Sequence, residues 1–211
     1  MLSITLIITA ATVIVSVIGF SNQKMVDDLI FTPPAINNRN QWYRFLTCAL
    51  VHADVPHLAF NMLAFYSFGE AVEMTFANLF GTYGSALYIA LYVVSQFLCL
   101  VPTYIKNKDN YYYRSLGASG AVSAVIFAGI LLFPLTKIYL FFIPIGIPGF
   151  IFGFIYLGVS AYMERKGGSN VNHSAHLFGA LAGIILLLTF GYAYGLDIIG
   201  YFLREIKGFF G

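Results

Sequence analysis

Charge is what this sequence has least of. Of its 211 residues only 9% are Asp, Glu, Lys or Arg, against about 25% in an ordinary soluble domain, so water is not its main solvent. The net charge is +2 and the basic residues are scattered, which excludes the basic stripe of a nucleic-acid binder. The apolar runs lack the strict alternation of barrel strands. A lipid-exposed backbone must satisfy its own hydrogen bonds, and that leaves helices. Cysteine is scarce too: Cys48 and Cys99 each lie in an apolar setting and read as free buried thiols rather than as a bridge or metal ligands. There is no internal repeat, no low-complexity tract and no second soluble domain.

What the chain does have is hydrophobic length, with 59% of its residues apolar. Stretches of about 20 such residues match the hydrocarbon core of a bilayer. On that criterion spans are expected at about 2–20, 57–80, 83–105, 116–136, 138–162 and 172–194. The expectation is an all-α, polytopic membrane protein: one domain over 1–211 with six transmembrane helices and both ends on one side. The first span has no basic leader and no small-residue cleavage site, so it reads as retained. Between Ser21 and Pro56 runs a long connection holding Pro33, Pro34, Trp42 and Arg44, whose second half reads as interfacial. Tyr111, Tyr112 and Tyr113 beside Arg114 read as an interfacial belt. Gly167, Gly168, Ser169 and Asn170 read as a flexible connection, and Gly195 to Gly211 as a short interfacial helix.

Polar residues inside such spans are costly and mark function. All four histidines fall in two clusters, His52 with His57 and His173 with His176, at the N-terminal edges of the second and sixth spans. Even-numbered spans run in the same direction, so their N-terminal ends share one face of the membrane. Ser119 enters the fourth span about as deeply as His176 enters the sixth, within the small-residue run Gly117, Ala118, Ser119, Gly120. Alone, that run reads as helix packing, as do Gly179 and Gly183. With a serine, a histidine and Asn61 converging on one face, chemistry is the stronger reading.

Serine becomes a nucleophile when a neighbouring base takes its proton, and imidazole does this near neutral pH. Ser119 and His176 supply that pair. The oxyanion formed on the attacked carbonyl needs fixed donors, and the Ser119 amide at a helix start is one. His57 and Asn61, four residues apart on one helix face, add two side-chain donors. No carboxylate lies near Ser119 or His176 in the sequence, so the site reads as a dyad, with Gly179 permitting close approach of the sixth span to the fourth.

These residues resemble those of the rhomboid intramembrane serine proteases, in the compact bacterial form with six spans. Gly117-Ala118-Ser119-Gly120 is similar to the family's nucleophile motif, and Ala175-His176-Leu177-Phe178-Gly179, preceded by Asn172-His173, to its histidine motif. His52, His57 and Asn61 resemble the spaced histidines and asparagine entering the second span. Arg44 precedes them in an aromatic loop, and Gly69 and Glu73 follow. The resemblance runs from about residue 42 to 183. It implies a rhomboid-like bundle that hydrolyses peptide bonds in or beside the transmembrane segments of other membrane proteins, without metal or cofactor. Ser119 is then the nucleophile and His176 the base and acid. His57, Asn61 and the Ser119 amide hold the oxyanion, with Gly117, Gly120, Gly179, His52 and His173 in support. One departure is plain: many relatives carry a tyrosine four residues after the nucleophile, packed under the histidine ring, and this chain has Ser123 there.

The resemblance also implies a bacterial cytoplasmic membrane, with the site facing outward, and transmembrane proteins and the lipid bilayer as partners. That orientation puts Lys24, Arg39, Arg44, Lys106, Lys108, Arg114, Arg165 and Lys166 outside, against Lys137, Arg204 and Lys207 inside. It runs against the usual cytoplasmic excess of positive charge, a rule that weights short loops. Two other readings compete. One is a metal enzyme built on the four histidines, which lacks a His-Glu-x-x-His motif; the other is a non-catalytic membrane-protein-binding scaffold or transporter, suggested by Pro144 and Pro148 in the fifth span.

Overall fold

The computed structural model describes residues 3–140, 143–169 and 171–211, so Leu2 at the head of the first expected span, residues 141–142 of the fifth and Asn170 lie outside the described residues. The protein is mostly helical. α1 (Ile4–Gly19) is capped by Ser3 and leads into three short helices, α2 (Gln23–Leu29), α3 (Pro33–Arg39) and α4 (Arg44–Thr47). Two long helices follow, α5 (Val55–Phe80) and α6 (Gly84–Asn107), with Gly81 at φ 53° in the turn between them. α7 (Ser119–Leu132), α8 (Gly149–Lys166), α9 (His173–Ala193) and α10 (Ile198–Phe209) complete the chain. By length and composition alone, Val55–Asn107, which holds α5 and α6, and His173–Ala193 are long and apolar enough to cross a membrane. α1 and α7 are shorter apolar helices.

The all-α expectation needs one correction. Residues 138–140 and 143–148, expected within the head of a fifth span, lie instead in two paired strands, β1 (Lys137–Leu140) and β2 (Ile143–Pro148), in antiparallel register with Ile138 opposite Ile147. Pro144 and Pro148 cannot donate the backbone hydrogen bonds a helix interior needs. An apolar run with β-branched residues pairs as a strand just as well. α8 therefore starts at Gly149, whose N–H reaches the Thr136 carbonyl at 3.0 Å. The fourth expected span, 116–136, shortens to 119–132 for similar reasons. Gly117 sits at φ 106°, outside helical conformation, and Pro134 follows the C-terminal end.

α7 is the hub. Every residue from Gly120 to Ile130 is buried, and α5, α6, α8 and α9 pack around it. Along the α7–α9 seam the side chains vanish. A Cβ built on Gly179 would collide with the Gly120 carbonyl oxygen, and one on Gly183 with that of Ala124. Only glycine lets the two backbones approach so closely. α1 is pinned to α5 by Glu73, whose carboxylate accepts the Ile4 and Thr5 amides at 2.7 and 2.8 Å. Gly69 makes room there for Thr5 and Tyr88. The loop before α5 folds onto buried Arg44, which donates to the Asp27 and Ile30 carbonyls at 2.8 and 2.7 Å. Outward, Leu63, Met74, Ile89, Phe154, Val159 and Ile185 are exposed. Apolar surface on this scale, from four helices, suits lipid rather than water.

Candidate active site

α7 begins at Ser119 with no side chain capping its start, and its first backbone bond is Val122 N–H to the Ala118 carbonyl at 2.9 Å. The amides of Ser119, Gly120 and Ala121 therefore precede the helical ladder, at the positive end of the helix dipole. α9 begins two residues before Ala175, where the Asn172 side chain accepts the Ala175 amide at 3.0 Å. Asn172 is itself held by Thr103 of α6 at 3.2 Å. The Ser174 amide goes to Glu164 of α8 at 3.0 Å. Because α7 and α9 run in the same direction and touch through glycine, Ser119 and His176 come to the same end of the bundle.

Both line one cavity of about 430 Å³, together with His57, Asn61, Gly117 and Gly120. Five of the residues expected from sequence thus share a cavity with Ser119. His57 enters from the first turn of α5, whose cap, Asp54, accepts the His57 amide at 2.7 Å. Its ring lies against Gly117: a Cβ there would come within 2.8 Å of Cε1 and 2.9 Å of Nε2. Gly117 is glycine for that contact and for its positive φ. Asn61, one turn on, is buried and spends one amide hydrogen on the His57 carbonyl at 3.1 Å. Its second hydrogen remains for the cavity.

Three residues expected in support stand outside the cavity lining. Gly179 sits on the α7–α9 seam behind it. His173 faces a second, polar cavity of about 230 Å³ with Lys106, Glu164 and Gly168, and its ring meets that of His176 edge-on at 5.8 Å. His52 is buried, its ring edge-on to His57 at 4.9 Å. Ser16 Oγ donates its single proton to the Leu50 carbonyl at 2.8 Å, so at 2.9 Å it accepts from His52 Nδ1. That fixes the neutral tautomer with the proton on Nδ1. Burial, reinforced by His57 nearby, pulls the His52 pKa down to about 4.

The sequence reading missed the rest of the lining. Cys48 and Cys99 are free buried thiols on the cavity wall, and burial pushes the Cys48 thiol up to about 12. Gln96 donates to the Phe45 carbonyl at 3.1 Å and to Cys48 Sγ at 3.5 Å. Tyr156 of α8 is also there, its ring stacked beside that of His176. Among the described residues no three His, Cys, Asp or Glu side chains gather as a metal site would need.

Comparison with known proteins points one way. The family model described as the rhomboid domain matches residues 39–193. The chain is 28% identical over 191 residues to RHOMBOID-like protein 12, mitochondrial, of Arabidopsis thaliana, covering 85% of this chain and 55% of that protein. It is 29% identical over 153 residues to Rhomboid protease GluP of Bacillus subtilis, covering 72% and 27%. To Rhomboid protease GlpG of Haemophilus influenzae it is 28% identical over 189 residues, covering 86% and 88%. The chain thus spans about half of the plant relative and about a quarter of GluP, but most of GlpG. With the matched domain running from before α4 to the end of α9 and so enclosing every residue of the cavity, the chain belongs to the rhomboid family of membrane proteins.

Proposed function

We propose that this chain is an intramembrane serine endopeptidase that cuts peptide bonds in or next to the transmembrane segments of other membrane proteins. The observation that carries the proposal is the single cavity lined by Ser119, His176, His57 and Asn61 at the uncapped start of α7. Ser119 Oγ attacks the scissile carbonyl as its proton passes to His176. The carbonyl oxygen takes up the electron pair and meets the Ser119 amide, His57 and the free amide hydrogen of Asn61. His176 then gives the proton to the leaving nitrogen as the C–N bond breaks. Water, deprotonated by the same imidazole, releases the acyl group and regenerates the serine. No cofactor enters any of these steps.

The bilayer arrangement belongs to the same proposal. α1, α5, α6, α7, α8 and α9 are the six crossings, and the site faces outward from a bacterial cytoplasmic membrane. At 1.5 Å per residue, α7 is only about 21 Å long, shorter than a hydrocarbon core of about 30 Å. A short central helix suits a serine that lies below the membrane surface within a water-bearing cavity. A substrate helix must unwind there to offer an extended backbone, so cleavage is expected at small residues flanked by helix-weakening ones.

The test is a fluorophosphonate probe on the purified protein in liposomes. It should label the wild type and neither Ser119→Ala nor His176→Ala. An unlabelled, folded wild type would favour the binding scaffold or transporter. Loss of activity on adding a chelator would favour the metal enzyme.

A further inference from the structure

The cavity holds an aromatic side chain to which nothing so far gives a role. Tyr156 sits in the middle of α8, and its ring lies 6.1 Å from that of His176 at an interplanar angle of 24°, a stacked arrangement. Phe127 at 5.5 Å and Phe152 at 5.9 Å close around it. Its hydroxyl is 2.6 Å from Ser123 Oγ. Ser123 Oγ is also 2.7 Å from the carbonyl oxygen of Ser119, which can only accept. Serine has one proton to give, and it goes to that carbonyl. The phenol must therefore donate to Ser123, and the bonds run one way: Tyr156 hydroxyl to Ser123 to the backbone of Ser119.

We infer that Tyr156 is the positioning residue for the His176 ring, and that Ser123 is the acceptor that fixes Tyr156 in that place. The inference rests on the protease reading above. An imidazole in a dyad has no carboxylate to orient it, so a neighbouring surface must limit its rotation. Tyr156 presents a flat face to one side of the ring, and the hydrogen bond at the far end of the phenol sets the height of that face against the start of α7. Serine at 123 is small enough to admit a phenol from another helix and polar enough to hold it; a larger side chain at this buried position would fill the space. Nucleophile, base and positioning ring thus come from three helices, α7, α9 and α8. The base is held only while α8 is docked.

Four variants in liposomes test this, each assayed for kcat and KM on a single-span substrate and for the rate of fluorophosphonate labelling. Tyr156→Leu, which keeps bulk but removes the flat face, should lower kcat and labelling together by about a hundredfold, the cost of a catalytic group misplaced by about 1 Å, with KM unchanged. Tyr156→Phe keeps the ring and loses the hydrogen bond, so its loss should stay below about tenfold. Ser123→Ala removes the same bond from the other side and also the bond to the Ser119 carbonyl, so it should lose at least as much as Tyr156→Phe. The double variant should lose no more than Ser123→Ala alone, because the bond that Tyr156→Phe breaks is already gone. That pair stays informative even if Tyr156→Leu does not fold, because additive losses would show that the two groups act separately and would overturn the inference. Wild-type labelling by folded Tyr156→Leu, or an effect on KM alone, would also overturn it and leave the protease reading intact. Failure of the wild type to label would instead remove the protease reading itself.

Discussion

The sharpest consequence of the α7–α9 seam is that one methyl group, placed away from the reacting atoms, should disable them. An alanine Cβ at Gly179 would lie 2.8 Å from the carbonyl carbon and 3.0 Å from the Cα of Gly120, and closer still to the carbonyl oxygen. Ordinary contacts between carbon atoms fall at about 3.5–4.0 Å. The obstacle is backbone, which cannot swing aside as a side-chain tip can, so the helices must part by roughly 1 Å. Gly120 is the residue after Ser119 and Gly179 lies three beyond His176, so that parting acts directly on the separation of the proposed dyad. A misplacement of this size costs about a hundredfold in rate, while overpacking costs about 1–3 kcal/mol in stability. The assay is the rate of fluorophosphonate labelling together with a thermal melt. Gly183→Ala meets the Ala124 backbone in the same way, but one turn further from the site, so it should lose similar stability and less activity. Gly158→Ala on α8 meets nothing within 4 Å and should be neutral or gain up to about 1 kcal/mol from helix propensity. Wild-type labelling by Gly179→Ala, with the protein folded, would refute the claim that this seam sets the dyad.

Other outcomes follow from the same geometry. On the proposed mechanism Asn61→Ala should slow cleavage roughly ten- to a thousandfold without abolishing it, because the other proposed oxyanion donors remain, and single-turnover rates measure this. Folding should depend on pH through His52. A histidine whose pKa is lowered on folding, here to about 4 from 6.5, contributes stability that is complete above about pH 6.5 and is lost as pH falls towards 4. Melting temperatures between pH 7 and 5 should drop in the wild type and less in His52→Gln, whereas equal slopes would remove His52 as the source. Activity should be unchanged by a strong chelator. If it falls and zinc restores it, the histidines belong to a metal centre instead.

The grouping of the candidate residues in one cavity was legible in the sequence because a membrane makes polar residues expensive. Ser119, His176, His57 and Asn61 could be singled out against an apolar background, and the common direction of their helices brought them to one end of the bundle. Glycines 117, 120 and 179 were legible as places of close approach, though not what they approach: a histidine ring, a cysteine thiol and a backbone carbonyl. The paired strands at 137–140 and 143–148 were missed because their apolar run has no period that separates strand from helix. Pro144 and Pro148 carried the signal, and they mark where the helix cannot begin rather than a break within it.

Tyr156 was hidden for a different reason. α8 carries Phe150, Phe152, Phe154 and Tyr162 as well, and with rings at exposed and enclosed positions alike, no pattern tells which one points inward. Phe154 and Tyr162 do not. Ser123, read along the chain, is only the loss of a tyrosine that many relatives place beneath the histidine. In three dimensions its hydroxyl is the acceptor for a phenol from 33 residues further on. A ring beside the base can be delivered from any helix that reaches it, because what the imidazole needs is a surface at the right height and not a residue at a fixed sequence offset. The missing tyrosine on α7 and the tyrosine present on α8 are therefore one feature, and a substitution at either position should be judged by what stands at the other.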